Sequence, residues 1–255
     1  MKLTTKDLKV LHNIAITAAE AAGLYIASKS KEDFVVNSKE GGNTLASQVV
    51  TEVDLLSQEL ILKFIEPTIY QYDLGLLAEE SEDDGSRFKK DYFWCIDPLD
   101  GTLAFTKRKP GYAVSISLIS KSGESVIGVV FDPIINNMYH AYKGSGLFKN
   151  EHAWTPRVRD TEIVINQGGA VMNACWVLDN TPAVFYKKPK PQKGGGCLWD
   201  YGATACLFKE AGFIASDIHG NNLELNRKES VYMNHSGVLF SSSSKSYKEL
   251  ASTYL

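Results

Sequence analysis

The segment Trp94-Cys95-Ile96-Asp97-Pro98-Leu99-Asp100-Gly101-Thr102 ends an apolar, strand-like run in two carboxylates. Pro98 cannot continue a ladder, and Gly101 permits a tight turn before Thr102, so Asp97 and Asp100 can converge on one point. Two such charges about 4 Å apart repel by roughly 4 kcal/mol at an effective dielectric near 20. A fold that forces them together normally supplies a cation, and hard carboxylate oxygens suit Mg²⁺, Mn²⁺ or Ca²⁺ better than zinc. The plain alternative for a bare D-x-x-D is a loop in which one Asp caps the next helix and the other faces water. Two further features weigh against it. Leu76-Leu77-Ala78-Glu79-Glu80-Ser81 ends a second apolar strand in acids, and Trp199-Asp200 opens a helix after a glycine run. Three acidic elements, each where an apolar element meets a loop, read as one metal cage.

The elements that must position these groups follow from periodicity. Residues 5–30 read as a long helix, with Leu8, Leu11, Ile14, Ala15, Ala18, Ala22 and Tyr25 at helical spacing and a Thr4/Asp7 capping box. Residues 51–64 read as a second helix, stopped before Pro67. Strand-like runs at 75–78, 92–96, 113–120, 126–131 and 138–142 are separated by turn residues, a meander that favours antiparallel pairing. Beyond residue 150 a strand at 162–166 leads into Gly168-Gly169-Ala170, an apolar segment to 178 and a strand at 183–186. Residues 187–196 form a Lys-, Pro- and Gly-rich loop, a helix over 198–211 stops on Gly212, and short strands at 213–215 and 237–240 follow. The pattern predicts an α+β chain in two layered subdomains, residues 1–150 carrying most of the acidic groups and 151–255 carrying Asp200.

Composition narrows the function classes. With 44% hydrophobic and 22% charged residues and a formal charge of −3, the chain is too apolar for disorder and too weakly charged to track a nucleic-acid backbone. Its apolar stretches fall short of a membrane span, and an acid at Asp7 precedes any signal-like apolar region, so neither membrane nor nucleic-acid partners are expected. Cys95, Cys175, Cys197 and Cys206 show no C-x-x-C spacing, which fits buried thiols in a reducing, cytoplasmic compartment. The five histidines form no metal-binding pattern.

Taken together, Ala78-Glu79-Glu80-Ser81, Asp97-Pro98-Leu99-Asp100-Gly101-Thr102 with Phe105, and Trp199-Asp200 with Glu210-Ala211-Gly212 resemble the signatures of the inositol monophosphatase family. That family belongs to the Mg²⁺-dependent, lithium-sensitive phosphatases, with fructose-1,6-bisphosphatases and 3′(2′),5′-bisphosphate nucleotidases. The resemblance spans nearly the whole chain. It implies an α/β, layered αβαβα sandwich, two or three Mg²⁺ ions, a small-molecule phosphate ester as substrate and a homodimer. By the same likeness Glu79, Asp97, the carbonyl of Leu99, Asp100 and Asp200 are metal ligands. Asp54, with the Thr102 hydroxyl, orients or deprotonates the attacking water, in a site to which Glu79 also belongs. Gly101, Thr102, Gly168, Ala170 and Lys193 face the substrate. The implied activity is hydrolysis of an inositol monophosphate-like phosphomonoester by metal-activated water. The alternatives are a 3′(2′),5′-bisphosphate nucleotidase acting on 3′-phosphoadenosine 5′-phosphate, a haloacid-dehalogenase-type phosphatase, whose acids are two rather than three apart, and a non-catalytic metal- or phosphate-binding protein.

Two departures bear on the substrate. The segment between Asn150 and Gly168 is shorter than in typical members, removing a strand–helix unit that often contributes a substrate-facing Ser. Lys193 stands where inositol-specific members tend to carry an acid, and a Lys there would favour an anionic group over a neutral polyol. The surrounding run, 187–193, reads as a solvated loop by composition or as pocket lining by position.

Overall fold

Helix α1 (Thr5–Lys29) starts at the expected capping box, where the Thr4 hydroxyl accepts the Asp7 N–H and the Asp7 carboxylate accepts the Thr4 N–H. This is a computed structural model, and it describes residues 2–30, 36–38 and 49–243. The polar stretch read at 31–42 lies largely outside the described residues. Strands β1 (Val36–Ser38) and β2 (Val49–Thr51) form a small antiparallel ribbon. Helix α2 (Glu52–Tyr72) then runs straight through Pro67, against the expected stop. Pro67 is exposed, so the carbonyl it cannot bond can face water, while its neighbours Ile65 and Thr68 are buried and hold the helix in the core. Thr68 is itself fixed, because the indole N–H of Trp94 donates to its hydroxyl at 2.9 Å.

Seven strands make the larger sheet: β3 (Gly75–Ala78), β4 (Tyr92–Asp100), β5 (Ala113–Ser120), β6 (Ser125–Asp132), β7 (Asn137–Tyr142), β8 (Phe148–Lys149) and β9 (His152–Ala153), in that spatial order. The expected meander holds from β4 onward, but β3 pairs parallel to β4. A parallel neighbour requires a crossover, and residues 79–91, with a 3₁₀ turn at Ser86–Phe88, supply it. The apolar run of β4–β6 is buried on both faces. On one side lie α1 and α2, which pack together over Trp94, Ile96, Val114, Ile116 and Val129. By length and composition α1 could cross a membrane, yet Leu11, Ala15, Ala18, Ala19, Ala22 and Ile26 are wholly buried in this layer.

The other face receives α4 (Ala170–Asp179) and α5 (Leu198–Glu210), which are sandwiched against a second, four-stranded sheet. That sheet has the order β10 (Arg157–Val164), β11 (Asn180–Lys187), β13 (Val238–Ser241), β12 (Ile214–Ser216), with β10 parallel to β11 and the other pairs antiparallel. Phe93 and Cys95 of the first sheet and Phe185 and Phe240 of the second belong to one continuous apolar core with the two helices. The described residues thus stack as α, β, α, β, four of the five layers of the expected αβαβα sandwich, and among them no helix covers the outer face of the second sheet. Chain runs from β10 into α4 with only a short turn, so no helix intervenes after the strand that begins at Arg157. The short helix α3 (Thr102–Thr106) lies directly beyond the end of β4.

Candidate active site

A register change on β4 decides where the first carboxylates point. Asp97 lies opposite Ser115 and Asp100 opposite Ala113, so β4 spends one residue more than β5 over the same interval. In an unbroken strand, residues three apart would face opposite sides of the sheet. The extra residue is a β-bulge at Pro98-Leu99, a position where the missing Pro N–H is tolerated, and it lets both carboxylates serve the same side. The sequence placed the end of the strand before Pro98; the strand instead continues through the bulge to Asp100. Asp97 Oδ1 accepts the Leu99 N–H at 3.0 Å, which closes the bulge around the carboxylate.

Gly101 follows in the left-handed region with φ +85, and a Cβ there would stand 2.4 Å from the Gly111 carbonyl oxygen, so no other residue fits this turn. The Thr102 hydroxyl then lies 3.3 Å from the Leu99 carbonyl and 3.5 Å from Asp54 Oδ1, the outer limit of a hydrogen bond. Asp54 is buried in the first turn of α2, just behind the cleft.

Helices α4 and α5 bring the remaining groups. Val171 at the start of α4 donates its N–H to Asp100 Oδ2 at 2.8 Å. Gly169 must lack a side chain, since a Cβ would meet that same Oδ2 at 2.2 Å. The buried Asn173 fixes the preceding turn by accepting the N–H groups of Gln167 and Gly168 and donating to the Gly168 carbonyl. Asp200 sits in the first turn of α5 and accepts the Cys197 N–H at 3.0 Å. One oxygen from each of Asp97, Asp100 and Asp200 lies within 4.8 Å of the others, across the junction of one sheet and the helix layer beside it.

Glu79 completes the acidic wall. It follows β3 directly, its N–H donates to the Ile96 carbonyl at 3.1 Å, and its carboxyl shares a hydrogen bond with Asp97. Gln58 on α2 holds this turn: its carbonyl oxygen accepts the Glu80 N–H at 2.9 Å and its amide donates to Ser81 Oγ at 2.7 Å.

Burial and the neighbouring charges raise Asp97 and Asp100. Asp97 is held well above the usual carboxylate range, first by burial and then by Glu79, Asp200 and Asp100. Asp100 is pushed up to about 7 by burial and by Asp200, against the Val171 N–H and Lys187, which lower it. A buried cluster of like charges needs either protons or a cation. The donor set, all hard oxygen, fits a divalent ion such as Mg²⁺.

A cleft of about 350 Å³ opens over this cluster. It is lined by Glu79, Asp97, Leu99, Asp100, Gly101 and Thr102 from one side, and by Gly168, Gly169, Ala170, Lys193 and Asp200 from the other. All the residues singled out from sequence therefore meet on one cleft, with Asp54 immediately behind it. Lys187 and Lys190, from the run that reads either as solvated loop or as pocket lining, also line it, as does Tyr232, which no sequence signal marks. The run of lysines was the available signal, but composition alone cannot say which way a loop faces.

Comparison with known proteins agrees with this architecture. Residues 7–163 match the model of the inositol monophosphatase family. The chain is 32% identical over 237 residues to Nus factor SuhB of Escherichia coli, covering 82% of this chain and 86% of that protein. It is 27% identical over 227 residues to inositol-1-monophosphatase of Bacillus subtilis, covering 78% and 82%. The solved IMPase of Thermotoga maritima superposes with a TM-score of 0.74 at 22% identity, covering 94% of this chain and 96% of that one, which establishes the shared fold. With the match running through the strands that carry Glu79, Asp97 and Asp100, the chain belongs to the inositol monophosphatase family.

Proposed function

We propose that this chain is a Mg²⁺-dependent phosphomonoesterase that hydrolyses a small-molecule phosphate ester of the inositol monophosphate kind. The observation that carries the reading is the convergence of Asp97 and Asp100 from β4 and Asp200 from α5 onto one point. Asp97, Asp100 and Asp200, with Glu79 and the Leu99 carbonyl, would hold the ions. Bound there, Mg²⁺ supplies acidification of water and neutralisation of charge on the ester and its leaving oxygen. The formal charge of Glu79, Asp97, Asp100 and Asp200 is what two divalent ions balance, so a dianionic phosphate approaches without net repulsion.

The chain's own groups do the rest. The Thr102 hydroxyl accepts a hydrogen bond from the attacking water and passes its proton toward Asp54, whose carboxylate is the base. Water oxygen bonds to phosphorus, the ester P–O bond breaks, and the departing alkoxide takes a proton from solvent. The long Thr102–Asp54 contact leaves room for both hydroxyl and carboxylate to close on a bound water. Backbone N–H groups at the start of α3 are unpaired within the helix and offer hydrogen bonds to phosphate oxygens from Gly101 and Thr102. Gly168 and Ala170, at the start of α4, bound the side where the rest of the ester lies.

The test is hydrolysis of inositol 1-phosphate with Mg²⁺, scored for lithium inhibition. Activity is expected to vanish in EDTA and to return with Mg²⁺. Turnover that survives EDTA would overturn the reading, and a trapped phospho-aspartate would replace it with the haloacid-dehalogenase mechanism.

A further inference from the structure

The face of β5 turned toward α5 is made largely of small residues. The strand alternates: Val114, Ile116 and Leu118 belong to the core under α1 and α2, while Ala113 and Ile119 belong to the core under α4 and α5. Ser115 and Ser117 fall between the latter two, so they share that second face, and both are wholly buried. Small side chains let α5 come close. A Cβ on Gly202 of α5 would stand 2.4 Å from Ser117 Oγ, and one on Gly128 of β6 would stand 2.3 Å from the Ala203 carbonyl oxygen.

Ser115 uses this closeness in a way that Ser117 does not. It lies directly opposite Asp97 in the β4–β5 register, and opposite residues point to the same face. Its hydroxyl donates at 3.0 Å to the carbonyl of Trp199, the residue before Asp200. Trp199 is in the first turn of α5, where its carbonyl accepts the N–H four residues on, so the hydroxyl takes the second lone pair. Ser117 instead turns its hydroxyl back into its own sheet, donating to the Cys95 carbonyl at 3.1 Å. On its far side the same turn of α5 is held by the Leu198 N–H, which donates to the Val231 carbonyl at 2.9 Å. One hydroxyl therefore joins the strand position beside Asp97 to the peptide beside Asp200.

We infer that Ser115 is a positioning residue: it sets the span between Asp97 and Asp200, and through that span which divalent ion the cluster prefers. The inference rests on the cation-dependent reading above and deepens it, assigning ion selectivity to a side chain that does not itself line the cleft. Asp97 and Asp100 are spaced by the bulge within one strand, but Asp97 and Asp200 come from different elements, and packing must fix their separation. Mg²⁺ demands a near-octahedral shell at about 2.0–2.1 Å, whereas Ca²⁺ accepts a looser and larger one at about 2.3–2.6 Å. A span held by a hydrogen bond favours the smaller, stricter ion, and a slack one favours the larger.

Calorimetric titration of the metal-free full chain with Mg²⁺, and separately with Ca²⁺, reads the span without turnover. Ser115→Ala is expected to weaken Mg²⁺ at least about tenfold and Ca²⁺ less than about threefold, so that the ratio of the two affinities moves toward Ca²⁺. Ser117→Ala is the matched control. It removes a buried hydroxyl from the same strand and face, and should lower the Tm by a similar amount while the ratio keeps its parent value. Ser115→Cys, close in shape but a weak donor, should move the ratio in the same direction, and it carries the test where the Ala variant does not fold. Equal weakening of both ions in the Ser115 variants, or the same change of ratio in Ser117→Ala, overturns the inference and leaves the phosphatase standing. A parent chain that takes up neither ion would instead remove the cation-dependent reading itself.

Discussion

Two buried clusters of titratable groups behave in opposite ways. At the cleft, Asp97 and Asp100 meet Asp200 and Glu79, all acceptors when ionised, so the charges of Asp200 and Glu79 raise Asp97 and Asp100, and none can satisfy its neighbour without a proton or a cation. Where α1 crosses β7, His12 and His140 form a pair that satisfies itself. His140 Nε2 lies 2.7 Å from the Asn150 carbonyl, which can only accept, so that nitrogen carries the proton. Its Nδ1 is then free to accept from His12 Nε2 at 3.1 Å. The rings of Tyr142 and Phe148 pack around them. Neutral imidazole has one donor and one acceptor and can chain; carboxylate has only acceptors and cannot. The first kind of cluster asks for a ligand, and the second closes against one.

The pH dependence of stability separates the two. Asp100 is raised from 3.8 to about 7 in the fold, so between those values the folded chain holds the extra proton, and its contribution falls as pH rises. His12 is lowered from 6.5 to about 4, by burial first and His140 second, so the unfolded chain holds the extra proton and stability is lost as pH falls through that window. A cation at the cleft should cancel the first effect and leave the second untouched.

The largest expected effect comes from breaking the acidic cluster. Asp97→Asn should lower kcat/KM on the order of 10³-fold, about 4 kcal/mol, while raising the Tm of the metal-free chain by relieving repulsion. An inactive variant whose metal-free Tm falls would mean that Asp97 serves the fold rather than a cation. Next is the histidine pair. Between pH 6.5 and 4, denaturant unfolding should show about 3 kcal/mol of lost stability attributable to His12, and His12→Gln should abolish most of it. An unchanged acid profile in that variant would show that the pair already accommodates a proton.

Gln58→Ala tests whether the acidic wall needs outside support. Loss of the bonds that hold the Glu80–Ser81 turn should weaken activation by Mg²⁺ about tenfold or more, with kcat recovered at high Mg²⁺. A fall in kcat that Mg²⁺ does not rescue would point to distortion of the water-activating pair instead. The smallest effect is on Mg²⁺ affinity in the parent chain. It should rise up to about tenfold between pH 6 and 8, as the proton on Asp100 ceases to compete. A flat titration would show that the cation displaces no proton there.

Much of the cleft was legible because its chemistry sits where apolar runs stop. Glu79, Asp97, Asp100 and Asp200 each end or begin such an element, and so their types and places could be read without coordinates. Other features were not legible. The parallel entry of β3 looks the same in sequence as an antiparallel one, since a buried strand is apolar on both faces either way. Pro67 reads as a stop, but packing of Ile65 and Thr68 outweighs one lost hydrogen bond. His12 and His140 stand far apart in the chain, on a helix and a strand whose crossing no local pattern announces.

Sequence alone determined which carboxylates line the cleft, their hard-oxygen chemistry and the strand-to-loop places from which they project. These follow from residue type and short-range spacing, which folding does not alter. Tertiary structure decided the aim of the groups. The bulge at Pro98-Leu99 turned Asp97 and Asp100 to one side, and α5, tied to β5 by the Ser115 hydroxyl, brought Asp200 to meet them from the layer beside the sheet. Direction depends on register and on contacts between distant segments, and neither is encoded in the spacing of neighbours.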